Sequence, residues 1–354
     1  MIRQTALALA AALAAGGALA QDDPLKVGFI YVGPVGDFGW SYQHDQGRLA
    51  VEEHFGDRVE TTFVESVAEG ADAERVIRQL AASGHELIFT TSFGFMDATL
   101  AVAEQFPEVK FEHATGFKRA DNVATYSGRF YEGRAVIGTI AGRLTETNKI
   151  GYIASYPIPE VIRGVNAATL AARAVNPEAE MHVVWVNSWF DPPREADAAR
   201  ALMAQGVDII MQHTDSPAPL QAAETEGVLA FGQASDMHRF GPNAQLTAVI
   251  DDWAPYYIKR VQAVLDGSWE SQDNWGGLDV GEVVIAPYWN MPYEVATEAS
   301  DVERAIRLGD RHPFTGPISD REGTVRIAEG ETATDEMLLG MNWFVEGVVG
   351  DLPN

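Results

Sequence analysis

The chain has 354 residues, 51 acidic and 25 basic, for a formal net charge of −26. A surface of that sign repels phosphate, which excludes nucleic acid and anionic lipid as partners. There is no cysteine, so disulfides, thiolate metal sites and thiol catalysis are excluded as well.

Residues 1–20 read as a secretory signal peptide. Arg3 supplies the positive charge, Ala6 to Leu19 the apolar stretch, and Ala18-Leu19-Ala20 a small-x-small cleavage site before Gln21. Gln21 offers no thiol to a lipid, so the expected product is a free protein of the periplasm. The roughly 330 residues that follow exceed one ordinary core and predict two lobes.

The first strand is expected at 26–32. Val27, Phe29, Ile30, Tyr31 and Val32 form an apolar run suited to burial on both faces. The run breaks at Gly33-Pro34 into a loop holding Gly36, Asp37, Gly39 and Trp40, and a helix follows over 42–55. Further strands are expected at 59–64, 86–91, 110–114, 122–127, 149–154, 181–187, 207–212, 228–232 and 246–250. Helices are expected between them at 70–83, 96–105, 131–145, 160–175, 194–205 and 217–226. In 194–205, Ala198, Leu202 and Met203 share one face and Gly206 ends the pattern. After a helix at 254–265, residues 274–279 and 312–323 read as loops and 336–348 as a helix. Strand–helix alternation of this kind predicts an α/β protein with parallel sheets covered on both faces. The two Rossmann-like lobes would join near 128–131 and 251–255.

Ligands of open α/β sheets collect at the carboxyl ends of the strands. The loops there offer Asp37, Trp40 and Tyr42; Phe93 and Phe95; Tyr156; Trp189; His213 and Asp215; Asp236; and Asp252 with Trp253. Aromatic and acidic residues recur while Lys and Arg are scarce. That inventory favours a flat, neutral or weakly basic ligand rich in hydrogen-bond donors over a small anion. Trp40, flanked by Gly39 and Ser41, is expected to face the cleft. Phe93 and Phe95 are expected to divide between ligand and core. Asp251 reads as a helix cap, and Asp252 and Trp253 as cleft residues. His213 has no second His or acid at ligand spacing on one face, so it reads as a polar cleft residue, with neither a metal nor a catalytic role. Glu132 and Arg134 are expected to form a hinge-side salt bridge. No cofactor is expected.

Five segments, in order, resemble the basic membrane protein family, the substrate-binding proteins of ABC importers that include purine nucleoside binders. They are GDFGWSYQ at 36–43, FPEVKF at 106–111, YSGRFYEGRAVIGTIAG at 126–142, GPISD at 316–320 and GMNWFVEGV at 340–348. The resemblance implies a type I periplasmic-binding-protein-like fold whose lobes, 21–128 plus 254–285 and 129–253 plus 286–354, close on a hinge. It also implies an ABC permease in the inner membrane as partner, a monomeric state, and a purine held between aromatic rings. Carried over by position, Asp37 matches the family's first acidic contact, Trp40 its stacking aromatic and Asp236 the second acid of a D-x-D segment. Thr115, Ala234 and the Asp251-Asp252 pair stand where nucleoside binders carry an acid, an acid and a lysine that help hold ribose. A sugar hydroxyl without its partner costs affinity, so an adenine-like free base is expected in preference to a nucleoside. An exported nucleoside hydrolase, a ligand sensor that presents to a membrane receptor, and a sugar binder are the alternatives.

Overall fold

A computed structural model describes residues 23–353; the signal-peptide and cleavage-site readings lie outside these residues. In the first lobe, β1 (Leu25–Ile30), β2 (Val59–Val64), β3 (Leu87–Thr90), β4 (Lys110–Ala114) and β5 (Val123–Gly128) form a parallel sheet in the order β2-β1-β3-β4-β5. The second lobe repeats the plan with β6 (Lys149–Ala154), β7 (Glu180–Trp185), β8 (Ile209–His213), β9 (Leu229–Ala234) and β10 (Gln245–Asp251), ordered β7-β6-β8-β9-β10. The central strands are buried along nearly their whole length, as expected where helices cover both faces.

The helices α1 (Gly39–Phe55), α2 (Ala71–Ala82) and α3 (Met96–Ala103) serve the first lobe; α4 (Phe130–Leu144), α5 (Pro159–Val175), α6 (Pro192–Met203) and α7 (Ala218–Glu226) serve the second. The chain then returns: α8 (Ala254–Leu265) packs on α1, and β11 (Asp273–Gly276) adds to β5 in parallel. A last crossing leads to β12 (Val283–Ile285), antiparallel to β10, and to α9 (Tyr293–Arg307) against α4. The backbone thus passes between the lobes three times, after β5, β10 and β11. The sheets themselves are separate, and these three connections are the covalent links on which motion between them would turn.

Three readings of the last third are corrected. Asp273–Gly276 is a strand, paired from Asp273↔Thr125 to Gly276↔Gly128; its loop-like sequence is tolerated on a sheet edge. The helix expected over 336–348 is only the short α10 (Asp335–Leu339). Beyond it the Asn166 side chain donates to the Trp343 carbonyl and accepts from Val345 N–H, at 2.8 and 3.0 Å. Those tertiary bonds take the backbone groups a helix would need. Within 312–323, read as loop, the two-residue β13 (Ile318–Ser319) pairs with β14 (Val325–Ile327), and β15 (Val348–Val349) finishes the second sheet beside β7. Among the described residues no helix is long and apolar enough to cross a membrane.

Candidate ligand-binding site

The strands of both sheets end at a cavity between the lobes with about 370 Å³ of empty space. Val32 and Trp40 reach it from beyond β1, Ser92 and Phe93 from beyond β3, and Thr115 from beyond β4. The second lobe contributes Glu160 at the start of α5, Trp189 after β7, His213 and Asp215 at and after β8, and Gln233 on β9. This is the placement that open parallel sheets impose, because each βα turn emerges at the same edge.

Trp40 is fixed from two directions. Its indole Nε1 donates to the Thr91 carbonyl at 2.6 Å. Behind it, Trp253 and His44 stack at 4.9 Å with their planes 6° apart, and both meet Trp40 edge-on. The ring is therefore held before a ligand arrives. Trp189 lines the cavity from the other lobe, packed against Tyr156 at 5.1 Å. Its Nε1 donates to Glu69 at 3.2 Å, the same carboxylate that takes the Ser92 hydroxyl at 2.7 Å. Glu69 so bridges the lobes.

The polar lining is largely buried. His213 Nε2 lies 3.3 Å from Glu160 Oε1, and burial holds the imidazole below its usual pKa, so it is neutral near pH 7. His213 Nδ1 and Glu160 Oε2 are buried without partners among the described residues. The Gln233 amide oxygen accepts from Arg134, which lies 5.6 Å from the Tyr152 ring. Desolvation and the neighbouring Glu195 push the Asp215 carboxyl, beside the Trp40 backbone, up to about 8. Buried acceptors of this kind call for donors on whatever fills the space.

The predicted residues divide into three groups. Trp40, Phe93, Trp189, His213 and Asp215 line the cavity, with Tyr156 behind Trp189. Asp37, Tyr42, Asp236 and Asp252 line a wider groove open to solvent on another side of α1. There Asp37 pairs with Arg239 across the lobes. Asp236 accepts from His238 N–H and the Gln245 amide, at 3.0 and 2.7 Å. Phe95 and Trp253 are fully buried, Phe95 in the core of the first lobe and Trp253 beneath Trp40. The two acids at the end of β10 differ from the expected roles. Asp252 accepts the Ala254 N–H at the start of α8 at 3.1 Å, while Asp251 is buried with Oδ2 unpartnered. Glu132 and Arg134 form no ion pair: Glu132 accepts Leu278 N–H at 2.8 Å, and burial pushes it up to about 7.

Sequence reasoning missed Glu160 and Glu69. Glu160 follows Pro159 in the first turn of α5, where an acid ordinarily serves the helix dipole. Glu69 lies in the turn between β2 and α2, past the carboxyl end of a strand. Among the described residues no three His, Asp or Glu side chains gather with metal-ligand geometry.

Comparison with known proteins agrees with this architecture. A purine-binding protein of Brucella abortus is 56% identical over 347 residues, covering 98% of this chain and 99% of its own. A Haloferax volcanii protein, provisionally named for glucose binding in an ABC transporter, is 41% identical over 96% of this chain and 84% of its own. A solved ABC-transporter solute-binding protein of Aeropyrum pernix superposes with a TM-score of 0.70 at 18% identity, over 84% of this chain and 93% of its own. Residues 25–307 match the model of the Bmp family, described as ABC transporter substrate-binding protein PnrA-like, and the chain belongs to that family.

Proposed function

We propose that this protein captures a purine base of the adenine kind outside the cytoplasmic membrane and delivers it to an ABC permease, acting by binding and without catalysis. One observation carries the reading: a cavity between the lobes in which Trp40, Phe93 and Trp189 accompany buried acceptors, with neither Lys nor Arg in its lining. A flat heterocycle gains about 1–3 kcal/mol per stacked aromatic. Its amino and ring N–H groups suit Glu160 Oε2 and His213 Nδ1, which lack partners. The name of the Brucella relative supports the same ligand class. Closure would bring the lobes, taken as 21–128 plus 254–285 and 129–253 plus 286–354, together around the base, and a monomer suffices for that motion.

A sugar is the second reading, favoured by the name of the Haloferax relative and by the stacking faces that pyranose rings also use. The test is thermal unfolding of protein first unfolded and refolded to shed any captured ligand. Adenine, hypoxanthine, guanine, xanthine, their nucleosides and glucose form the panel. A ligand at 100 times its dissociation constant should stabilise by about 2.7 kcal/mol. A shift with adenine and a smaller one with adenosine is the expected result. A shift with glucose alone would replace the purine reading.

A further inference from the structure

A second cavity, with about 530 Å³ of empty space, adjoins the first and shares Phe93, Thr115 and Glu160 with it. Its chemistry is different, because Arg163 is in its wall. Arg163 lies on α5, one turn after Glu160, and is 4% exposed. Its guanidinium rests on the Trp275 ring, 4.9 Å from the centroid, yet no hydrogen bond or ion pair reaches it among the described residues. Arg129 lies against the same indole, 4.3 Å from its centroid. That arginine is satisfied by a two-pronged pairing with Asp335 at 2.8 and 2.8 Å.

The acids near Arg163 form no ion pair with it, although Glu160 keeps Oε2 unpartnered. Glu160 turns Oε1 toward His213, and Asp273, at the rim, accepts the Thr125 hydroxyl at 2.7 Å. A guanidinium keeps its charge when buried and brings five donors, so burial without an acceptor is costly. An incoming oxyanion would remove that cost by a fork-shaped pairing.

We infer that the second cavity is a subsite for an acidic group, phosphate or carboxylate, borne on an arm of the heterocycle seated in the first cavity, with Arg163 as its anchor. This inference rests on the purine reading of the first cavity and extends it. The neutral ribose of a nucleoside gains nothing from the guanidinium's charge; an acidic arm does.

The experiment is calorimetric titration of refolded protein with adenine, adenosine, adenosine 5′-monophosphate and adenosine 5′-carboxylate. In the unaltered protein at least one acidic compound should bind about tenfold or more tightly than adenosine. The compound that gains decides between phosphate and carboxylate. Arg163→Gln should abolish that gain and leave adenine affinity within about threefold, and Arg163→Lys should restore part of it. Thermal unfolding of each variant without ligand reports whether it folds. If neither acidic compound exceeds adenosine in the unaltered protein, the subsite assignment falls, whatever the variants do. It falls too if Arg163→Gln weakens adenosine and its acidic derivatives equally, since the guanidinium would then serve sugar hydroxyls. Failure of adenine itself to bind would instead sink the purine reading.

Discussion

Asp215, on the second lobe, lies against the backbone of Gly39 and Trp40, on the first. The amide of Asp215 in turn donates to the Trp189 carbonyl at 3.0 Å. One residue so stands between two tryptophans that line the cavity from opposite lobes. The carboxyl is placed between lobes rather than in open water, which is why desolvation raises it.

A pH dependence follows. The folded protein holds the Asp215 proton up to about 8, whereas the unfolded chain releases it near the ordinary 3.8. The group's contribution is fully present below the unfolded value and is lost as pH rises through the folded one. Glu132, pushed up to about 7 by burial, acts in the same direction, so the informative quantity is a difference between proteins. Asp215→Asn should gain melting temperature relative to the unaltered protein as pH rises from about 4 to about 8.5. Parallel melting curves for the two across that range would mean that the carboxyl is not desolvated.

Trp40 and Trp189 both line the cavity but differ in their support. Trp40 is built into the first lobe by its bond to Thr91 and by His44, Trp253 and Phe130 around it. Trp189, half-buried like Trp40, has Tyr156 behind it and Glu69 at its nitrogen. Trp189→Ala should cost about 1–3 kcal/mol of binding free energy and little stability. Trp40→Ala should cost a similar amount of binding and also several kcal/mol of stability, in the range of about 3–5. Equal stabilities for the two variants, measured by denaturant unfolding, would contradict this difference.

Phe93 and Phe95 provide a control within one turn. Phe93 lines the cavity, whereas Phe95 has no exposure and packs with Ile30, Val67 and Ile77. Phe95→Ala should lose about 3–5 kcal/mol of stability. Its folded fraction, titrated well below the melting temperature, should keep ligand affinity. Phe93→Ala should do the reverse. Exchanged outcomes would place the wrong phenylalanine in the site.

The alternating core was legible in the sequence because strands buried on both faces leave plain apolar runs, as in Val27–Val32, and helices between them leave a one-sided pattern. What was not legible depends on partners distant in the chain. Asp273–Gly276 carries few strand-forming residues and is a strand because β5 offers an edge. The segment after Leu339 is held by Asn166. The site was half legible for a related reason. A strand-end loop shows which residues are near the cleft, but not which side of α1 they occupy. Trp40 therefore turned inward while Asp37 and Tyr42 went to the outer groove. Arg163 and Glu160 escaped because they lie inside a helix, where a charged residue reads as solvent-facing.

The last prediction concerns closure itself. The amide of Gly39 donates to Ser235 Oγ across the lobes at 2.7 Å. Gly39 has φ +79°, and a Cβ there would stand 2.6 Å from the Asp215 carbonyl oxygen. Two separate costs follow for Gly39→Ala. The left-handed backbone conformation costs about 1–2 kcal/mol in any state of the protein. The collision with Asp215 exists only when the lobes are together, because Gly39 and Asp215 lie on opposite sides of the cleft. Stability should therefore fall slightly, while ligand affinity should drop by about tenfold or more. Small-angle scattering with saturating ligand should report a larger radius of gyration than for the unaltered protein. Ser235→Ala removes only one neutral hydrogen bond, worth about 1 kcal/mol, and should still close. If Gly39→Ala binds and compacts like the unaltered protein, the approach of Gly39 to Asp215 is not part of the ligand-bound state.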